Sequence, residues 1–294
     1  TARSSGTPPR EVAPPGALIA WRRATKRNLK KNFTIPMGVL LAVATGLWVT
    51  GARHPLALVT WSICAFVLTI IGIEFWKGTR ARARIEGEGY ALAFMHLVAR
   101  NRRRWGGYIV HVAMVMIYFG FAGAAYNVDE RFHVLPGDEV EVRSPFGHTY
   151  KLTYEGLSVS LGNGQRNLLW QAIATVSVRQ DGKQKPLMTT EKRMYVTGDL
   201  PMTEVGIRSS VREDLYLILS ALDDMEGAVR ADSNAQGIDL QVLIKPLVGW
   251  IWFGGIMLAI GTLVALWPSV DRRRVALEAR SDAAAEPAMA GAAD

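Results

Sequence analysis

One stretch constrains this chain more than any other: Arg102 to Tyr126, RRRWGGYIVHVAMVMIYFGFAGAAY. Three arginines and a tryptophan precede a Gly-Gly pair. About 20 almost wholly apolar residues follow, the length a helix needs to cross the hydrocarbon core of a bilayer. One ionisable residue, His111, interrupts that run. It lies six residues beyond Trp105, or roughly 9 Å along a helix. That depth places it inside the membrane, in the leaflet beside the arginines. An ionisable group there is costly, and its default reading is a functional site with a partner. The residues alone leave a second reading open, a neutral histidine hydrogen-bonded to a neighbouring helix.

The apolar residues, 49% of 294, are bunched rather than spread, while 20% of the chain is charged. That texture indicates an integral membrane protein with a sizeable polar domain. The net charge of +8 is concentrated in clusters beside the apolar runs. Such clusters report orientation in a bilayer, and no nucleic-acid partner is expected. Cys64 is the single cysteine and falls in an apolar run, so no internal disulfide, CxxC pair or cysteine-rich metal cage can form. The chain starts at Thr1 without a signal-peptide pattern, as a processed product or a fragment of something longer would.

In order, residues 1–33 read as a disordered and basic cytoplasmic segment, Pro- and Ser-rich at first, then carrying Arg22, Arg23, Lys26, Arg27, Lys30 and Lys31. Residues 34–77 hold transmembrane helices one, about Ile35 to Val49, and two, about Leu56 to Trp76. The turn between them contains His54, expected to be a solvated loop residue. Glu74 stands near the end of helix two beside Lys77 and Arg80 and reads as a snorkelling or paired carboxylate rather than a proton relay. Residues 78–104 form a basic connection whose middle, YALAFMHLV from Tyr90 to Val98, is too short to span and suits an interfacial helix. His96 on it reads as an interfacial residue. Residues 105–126 are helix three with His111.

Beyond Tyr126, residues 127–245 alternate apolar and polar with turn punctuation at Pro136-Gly137-Asp138, Ser144-Pro145-Phe146-Gly147 and Gly162-Asn163-Gly164. Val140 and Val142, then Tyr150, Leu152 and Tyr154, keep period-two spacing. Further strands are expected at Leu169 to Val178, Lys185 to Thr190, Arg193 to Thr197, Glu204 to Val211 and Leu215 to Ser220. His133 and His148 lie 15 apart with no nearby Cys or third His, so no metal site is expected there. No Ser/His/Asp arrangement, glycine-rich phosphate loop or paired-carboxylate pattern stands out. Residues 246–267 are helix four, with Trp250, Trp252 and Trp267 at its ends and Gly254, Gly255 and Gly261 for close helix approach. Residues 268–294 read as a disordered cytoplasmic tail.

The expected fold is therefore membrane α-helical, with about four transmembrane helices and a small antiparallel β domain. The basic clusters precede helix one, separate helices two and three, and follow helix four. By the positive-inside rule both termini are cytoplasmic and the β domain is periplasmic. The location is then a bacterial inner membrane, with the lipid bilayer as its first partner.

The string NRRRWGGYIVHVAMVMIYFGFAGAAY resembles the histidine-bearing helix of the cytochrome c-type biogenesis protein CcmF family, the membrane haem lyase subunits with NrfE-like relatives. Other landmarks follow in that family's order: GALIAWRR at Gly16 to Arg23, EFWKG at Glu74 to Gly78 and the LxPG turn at Leu135 to Gly137. MTEVGIRSSVREDLYLIL at Met202 to Leu219 and PLVGWIWFGGIMLAIGTLVAL at Pro246 to Leu266 complete them. The resemblance runs from Gly16 to Pro268 and covers only the C-terminal part of the family. The family's tryptophan-rich, haem-handling segment, its two flanking histidines and the partner histidine of its intramembrane haem have no counterpart here.

The resemblance implies that His111 is an axial ligand of an intramembrane haem b, and so the site of the haem iron. The implied activity is that of a haem lyase, attaching haem vinyl groups to the thiols of a CxxCH motif in apocytochrome c. Implied partners are an N-terminal haem lyase portion carrying the tryptophan-rich segment, a periplasmic haem chaperone, apocytochrome c and thiol-handling maturation proteins. Alone, the chain is expected to be inactive, and the resemblance assigns no catalytic residue. Gly107, Met114, Tyr118 and Ala122 share His111's face, and one of Arg102 to Arg104 could pair a haem propionate. A non-catalytic membrane scaffold presenting the β domain in a larger assembly is the alternative. A transporter is disfavoured, because four spans with His111 and Glu74 as ionisable candidates offer little pathway.

Overall fold

The computed structural model describes residues 26–162, 167–198, 200–222 and 236–267. The expected N-terminal and C-terminal tails, the basic segment before Lys26 and the Asn163-Gly164 part of one turn lie outside the described residues. Five helices are described: α1 (Lys26–Val49), α2 (Pro55–Glu86), α3 (Tyr90–Arg100), α4 (Arg102–Gly123) and α5 (Val248–Leu266). Among the described residues, four stretches are long and apolar enough to cross a membrane: Asn32–Val49, Pro55–Glu86, Arg102–Tyr126 and Val248–Leu266. Ten strands, again among the described residues, lie between α4 and α5.

The helices do not stop where the apolar residues stop. Pro55 opens α2 at a position where a missing N–H costs nothing. Past Trp76 the sequence KGTRARARIE has no breaker, so α2 runs on to Glu86, ten residues beyond the expected end. Gly87, at φ 68°, ends it in the left-handed conformation that favours glycine. α1 likewise begins inside the basic segment, at Lys26. Short α3 follows as expected, two residues longer at its end.

α4 and α5 meet along a glycine seam, as expected from Gly254 and Gly261; Gly255, expected to share that role, instead lies on an open face, with nothing within 4 Å of its Cβ position. A Cβ on Gly254 would sit 2.9 Å from the Ala113 carbonyl oxygen, and one on Gly261 2.9 Å from the Val110 nitrogen. From the other side, a Cβ on Gly120 would lie 2.6 Å from Ile251 Cγ1. Backbones this close gain dispersion contacts over their full length, the main attraction between helices in lipid.

The β domain is two antiparallel sheets face to face. One, in the order β1 (Val128–Val134), β10 (Ile238–Pro246), β9 (Glu213–Leu222) and β8 (Gly206–Arg208), hangs directly from the ends of α4 and α5. The other runs β2 (Glu139–Arg143), β3 (Thr149–Leu161), β4 (Leu168–Gln180), β6 (Met188–Tyr195) and β7 (Met202–Glu204), with the two-residue β5 (Lys183–Gln184) beside β4. Period-two alternation supplies the core. Leu152, Tyr154, Val176 and Val178 on one sheet meet Leu217, Leu219, Leu240 and Val242 on the other, all essentially without solvent exposure. Each such Leu, Ile or Val contributes about 1.5–3 kcal/mol by leaving water.

Three strand expectations are revised. Lys185–Thr190 and Arg193–Thr197 are one strand, β6, because the polar Glu191-Lys192 pair between them is accommodated: the Lys192 amine donates to the Ser220 carbonyl of the facing sheet. Glu204–Val211 is two strands, β7 and β8, which belong to different sheets and are separated only by Val205. Gly206 permits that switch, since a Cβ there would lie 2.4 Å from the Thr189 carbonyl oxygen. Strands β1 and β10, paired in register from Val128–Ile244 to Val134–Ile238, complete the first sheet.

Candidate functional site

The side chain of Asn101 accepts the Arg104 N–H at 3.4 Å, capping α4 at its start. From that cap the helix places His111 nearly three turns in, facing α2. α2 and α4 run antiparallel, as their contacts show in sequence. Glu74 meets Arg104 at 3.0 Å, Phe75 packs on Tyr108 at 5.9 Å between ring centres, and Trp61 Nε1 donates to the Phe119 carbonyl at 3.1 Å. Between these pairs lies a cleft of about 370 Å³, lined by Thr60, Ile63, Cys64 and Val67 of α2 and by His111, Met114, Val115 and Tyr118 of α4.

One hydrogen bond orients the His111 ring. Nδ1 lies 2.7 Å from the Gly107 carbonyl oxygen, one turn back on the same helix. A carbonyl oxygen only accepts, so Nδ1 is the donor, and in the neutral ring Nε2 then keeps its lone pair. A neutral imidazole with one nitrogen tied to the backbone and the other open is the form in which histidine ligates a metal. His111 is exposed, as are Met114 and Tyr118 beside it. Gly107 is open too, with no atom within 4 Å of where its Cβ would stand. Its neighbour Gly106 differs, since a Cβ there would lie 2.7 Å from the Ala265 nitrogen. α4 thus packs one face on α5 and leaves the His111 face without bulk above it.

The remaining histidines are engaged elsewhere. His96 Nδ1 lies 3.0 Å from Glu88, His133 Nδ1 3.0 Å from Asp239 and His148 Nδ1 2.7 Å from Asp181. The Arg82 guanidinium, and then His96, hold the Glu88 carboxyl below its usual range. His54 stands exposed before α2, where its backbone N–H reaches the Tyr126 hydroxyl at 3.3 Å. Among the described residues no three His, Cys, Asp or Glu side chains gather as a metal cage. The arrangement therefore offers a single imidazole nitrogen in an apolar cleft. A flat macrocycle whose iron takes its other axial ligand from elsewhere fits that donor set.

Glu74 is paired, but with Arg104 from 30 residues away rather than with Arg80; Lys77 is at 4.0 Å. Arg104 also lies 5.3 Å above the Trp105 ring. Cys64, whose thiol donates to the Val115 carbonyl at 3.7 Å, shares the histidine's cleft, a placement its sequence position did not reveal.

A second polar centre was not foreseen. Glu213 is 2% exposed, and its carboxylate accepts from the Ser144 hydroxyl and, at 2.8 Å, from the Tyr150 hydroxyl. Burial, and then the adjacent carboxylate, push the Tyr150 phenol well above its usual range. The network fixes the β2–β3 turn, whose Phe146 reaches the outer ends of α1, α2, α4 and α5 beside Leu247 and Trp250. Leu247, left-handed at φ 62°, donates its N–H to the Arg212 carbonyl at 2.8 Å and so ties α5 to the same corner.

Comparison with known proteins places this geometry. The family described as CcmF C-terminal beta-sandwich matches residues 125–236. The cytochrome c-type biogenesis protein CcmF of Escherichia coli K12 is 30% identical over 264 residues, 88% of this chain and 35% of that protein. CcmF of Pseudomonas fluorescens is 29% identical over 270 residues, 90% of this chain and 36% of its own. NrfE of Haemophilus influenzae is 22% identical over 219 residues, 68% of this chain. The solved structure titled Cytochrome c Heme Lyase CcmF has the same fold over 84% of this chain and 36% of its own, with a TM-score of 0.62 at 20% identity. This chain thus spans about a third of the length of these CcmF relatives. By sequence and fold, the chain belongs to the cytochrome c-type biogenesis CcmF family and corresponds to its C-terminal part.

Proposed function

We propose that this chain is the C-terminal portion of a cytochrome c maturation haem lyase and that His111 ligates an intramembrane haem b. The observation that carries the reading is the hydrogen bond between the His111 ring and the Gly107 carbonyl. Gly107 accepts from Nδ1, so in the neutral ring Nε2 presents a lone pair to an open apolar cleft within a spanning helix. In a hydrocarbon environment an unpartnered nitrogen is costly, and ligation removes that cost. Haem b would supply one-electron chemistry there. His111 would bind and orient it, Gly107 would fix the ring, and Met114 and Tyr118 would exclude water. Arg104 is committed to Glu74, so a propionate partner comes more readily from Arg103, which is exposed.

The β domain, joined to the ends of α4 and α5 opposite the arginine clusters, is periplasmic by the charge rule, with both termini cytoplasmic. There it docks the periplasmic haem chaperone, apocytochrome c and the thiol-handling proteins. The overall reaction forms thioether bonds between haem vinyl groups and CxxCH thiols. It requires the tryptophan-rich portion and the second axial ligand from an N-terminal part. Expressed alone in cells lacking their own machinery, the chain is expected not to mature a CxxCH reporter cytochrome; with the N-terminal portion it is expected to. Robust maturation by the chain alone would overturn this division. A complex without any haem band would favour the non-catalytic scaffold.

A further inference from the structure

We infer that the basic end of the helices carries a binding site for an anionic phospholipid. A groove of about 680 Å³ opens between the extension of α2, the end of α3 and the start of α4. Its floor exists because residue 78 is glycine. A Cβ there would meet Leu97 Cδ2 at 2.9 Å and Trp105 Cη2 at 2.9 Å, so α3 and Trp105 close on α2 only without one. The rim carries four cations, Lys77, Arg82, Arg100 and Arg104, against two carboxylates, Glu74 and Glu86, and so is net positive.

The charge around the groove is unbalanced. Residues 74–104 hold eight Lys and Arg against three Glu, a net of +5. Two of those carboxylates are already taken, Glu74 by Arg104 at 3.0 Å and Glu88 by Arg82 at 3.2 Å. Arg100 is exposed and, among the described residues, makes no ion pair; Lys77, with its side chain 58% exposed, reaches Glu74 only at 4.0 Å. These two cations are available to an anion.

The walls decide what kind of anion. Ala81, Ile85, Leu97 and Trp105 make the groove apolar below its rim. It opens where α2 leaves its apolar stretch, and α3 alongside leaves Leu92 and Met95 more than half exposed. A phosphate on an acyl chain satisfies both rim and wall, whereas free phosphate satisfies only the rim. Basic side chains flanking a span are attracted to anionic headgroups in just this position.

The test is native mass spectrometry of the delipidated full chain in detergent, titrated with phosphatidylglycerol or phosphatidylcholine. Phosphatidylglycerol is expected to be retained and phosphatidylcholine not. The double variant Lys77→Gln/Arg100→Gln should weaken phosphatidylglycerol binding roughly thirtyfold. Arg80→Gln/Arg84→Gln removes the same charge from exposed positions outside the groove and should change it less than about twofold. Protection of the Cys64 thiol reports that each variant remains folded. Equal weakening by both variants, equal binding of the two lipids, or displacement of phosphatidylglycerol by millimolar inorganic phosphate would each overturn the site.

Discussion

Replacing Gly254 by alanine tests the packing that holds α4, and with it His111, in place. The added Cβ would lie 2.7 Å from Ile117 Cγ1, 2.9 Å from the Ala113 carbonyl oxygen and 3.0 Å from the Ile117 nitrogen. Ile117's side chain could rotate away, but the other two atoms are backbone. The helices must then separate by about half an ångström to restore an ordinary contact. Overpacking of this kind costs about 1–3 kcal/mol, against which alanine regains up to ~1 kcal/mol of helix propensity. The adjacent Gly255 is the control, because nothing lies within 4 Å of its Cβ position. Gly255→Ala should be neutral or slightly stabilising. Cys64 is the sole cysteine and is buried against α4, so a thiol-reactive fluorophore reports unfolding of the bundle during a thermal ramp. At about 2–4 °C per kcal/mol, Gly254→Ala should lower the midpoint by several degrees and Gly255→Ala should not. Equal midpoints for the two variants would refute the glycine-seam reasoning.

Three further outcomes are expected. Glu213→Ala strands the Ser144 and Tyr150 hydroxyls and should destabilise the β domain by about 3 kcal/mol, whereas Glu213→Gln, which keeps an acceptor, should cost less in the same thermal melts. Tyr150 has a folded-state pKa raised above the unfolded value of about 10; its contribution should be complete below about pH 10 and lost as pH rises through the folded value. Tyr150→Phe should flatten that decline in melts monitored by near-UV circular dichroism. With Cys64 replaced by alanine, a cysteine at Gly137 should react with a membrane-impermeant reagent in intact cells and one at Ser281 should not; the reverse pattern would invert the topology.

The four spans and the β sandwich were legible because apolar run length and period-two alternation survive in any tertiary context. His111 stood out for a related reason, as an ionisable residue in the middle of such a run. Helix ends were less legible. α2 continues through Arg80, Arg82 and Arg84 because the sequence marks the membrane edge, not the end of the helix, which waits for Gly87. Pairings across long separations left no local trace. Glu74 finds Arg104 rather than the nearer Arg80, and the Glu213–Ser144–Tyr150 network joins β9 to the β2–β3 hairpin over more than 60 residues. The α2 wall of the His111 cleft was equally invisible, since Thr60, Ile63 and Val67 look like ordinary membrane-helix residues until α4 is laid against them. The i, i+4 spacing of Gly107 and His111 was visible beforehand, but not that the carbonyl orients the ring.

Ligation by His111 is tested most directly by chemical rescue in the assembled complex. His111→Gly removes the ring and leaves a vacancy of its size. The non-covalent haem b absorption band is expected to fall to background in this variant and to return in part when free imidazole is added, because the exogenous ring can take the emptied axial position. The β domain should remain folded throughout, since its core shares no residue with the His111 cleft. A full-strength, unshifted band in His111→Gly without imidazole would contradict the assignment and leave His111 as a structural histidine.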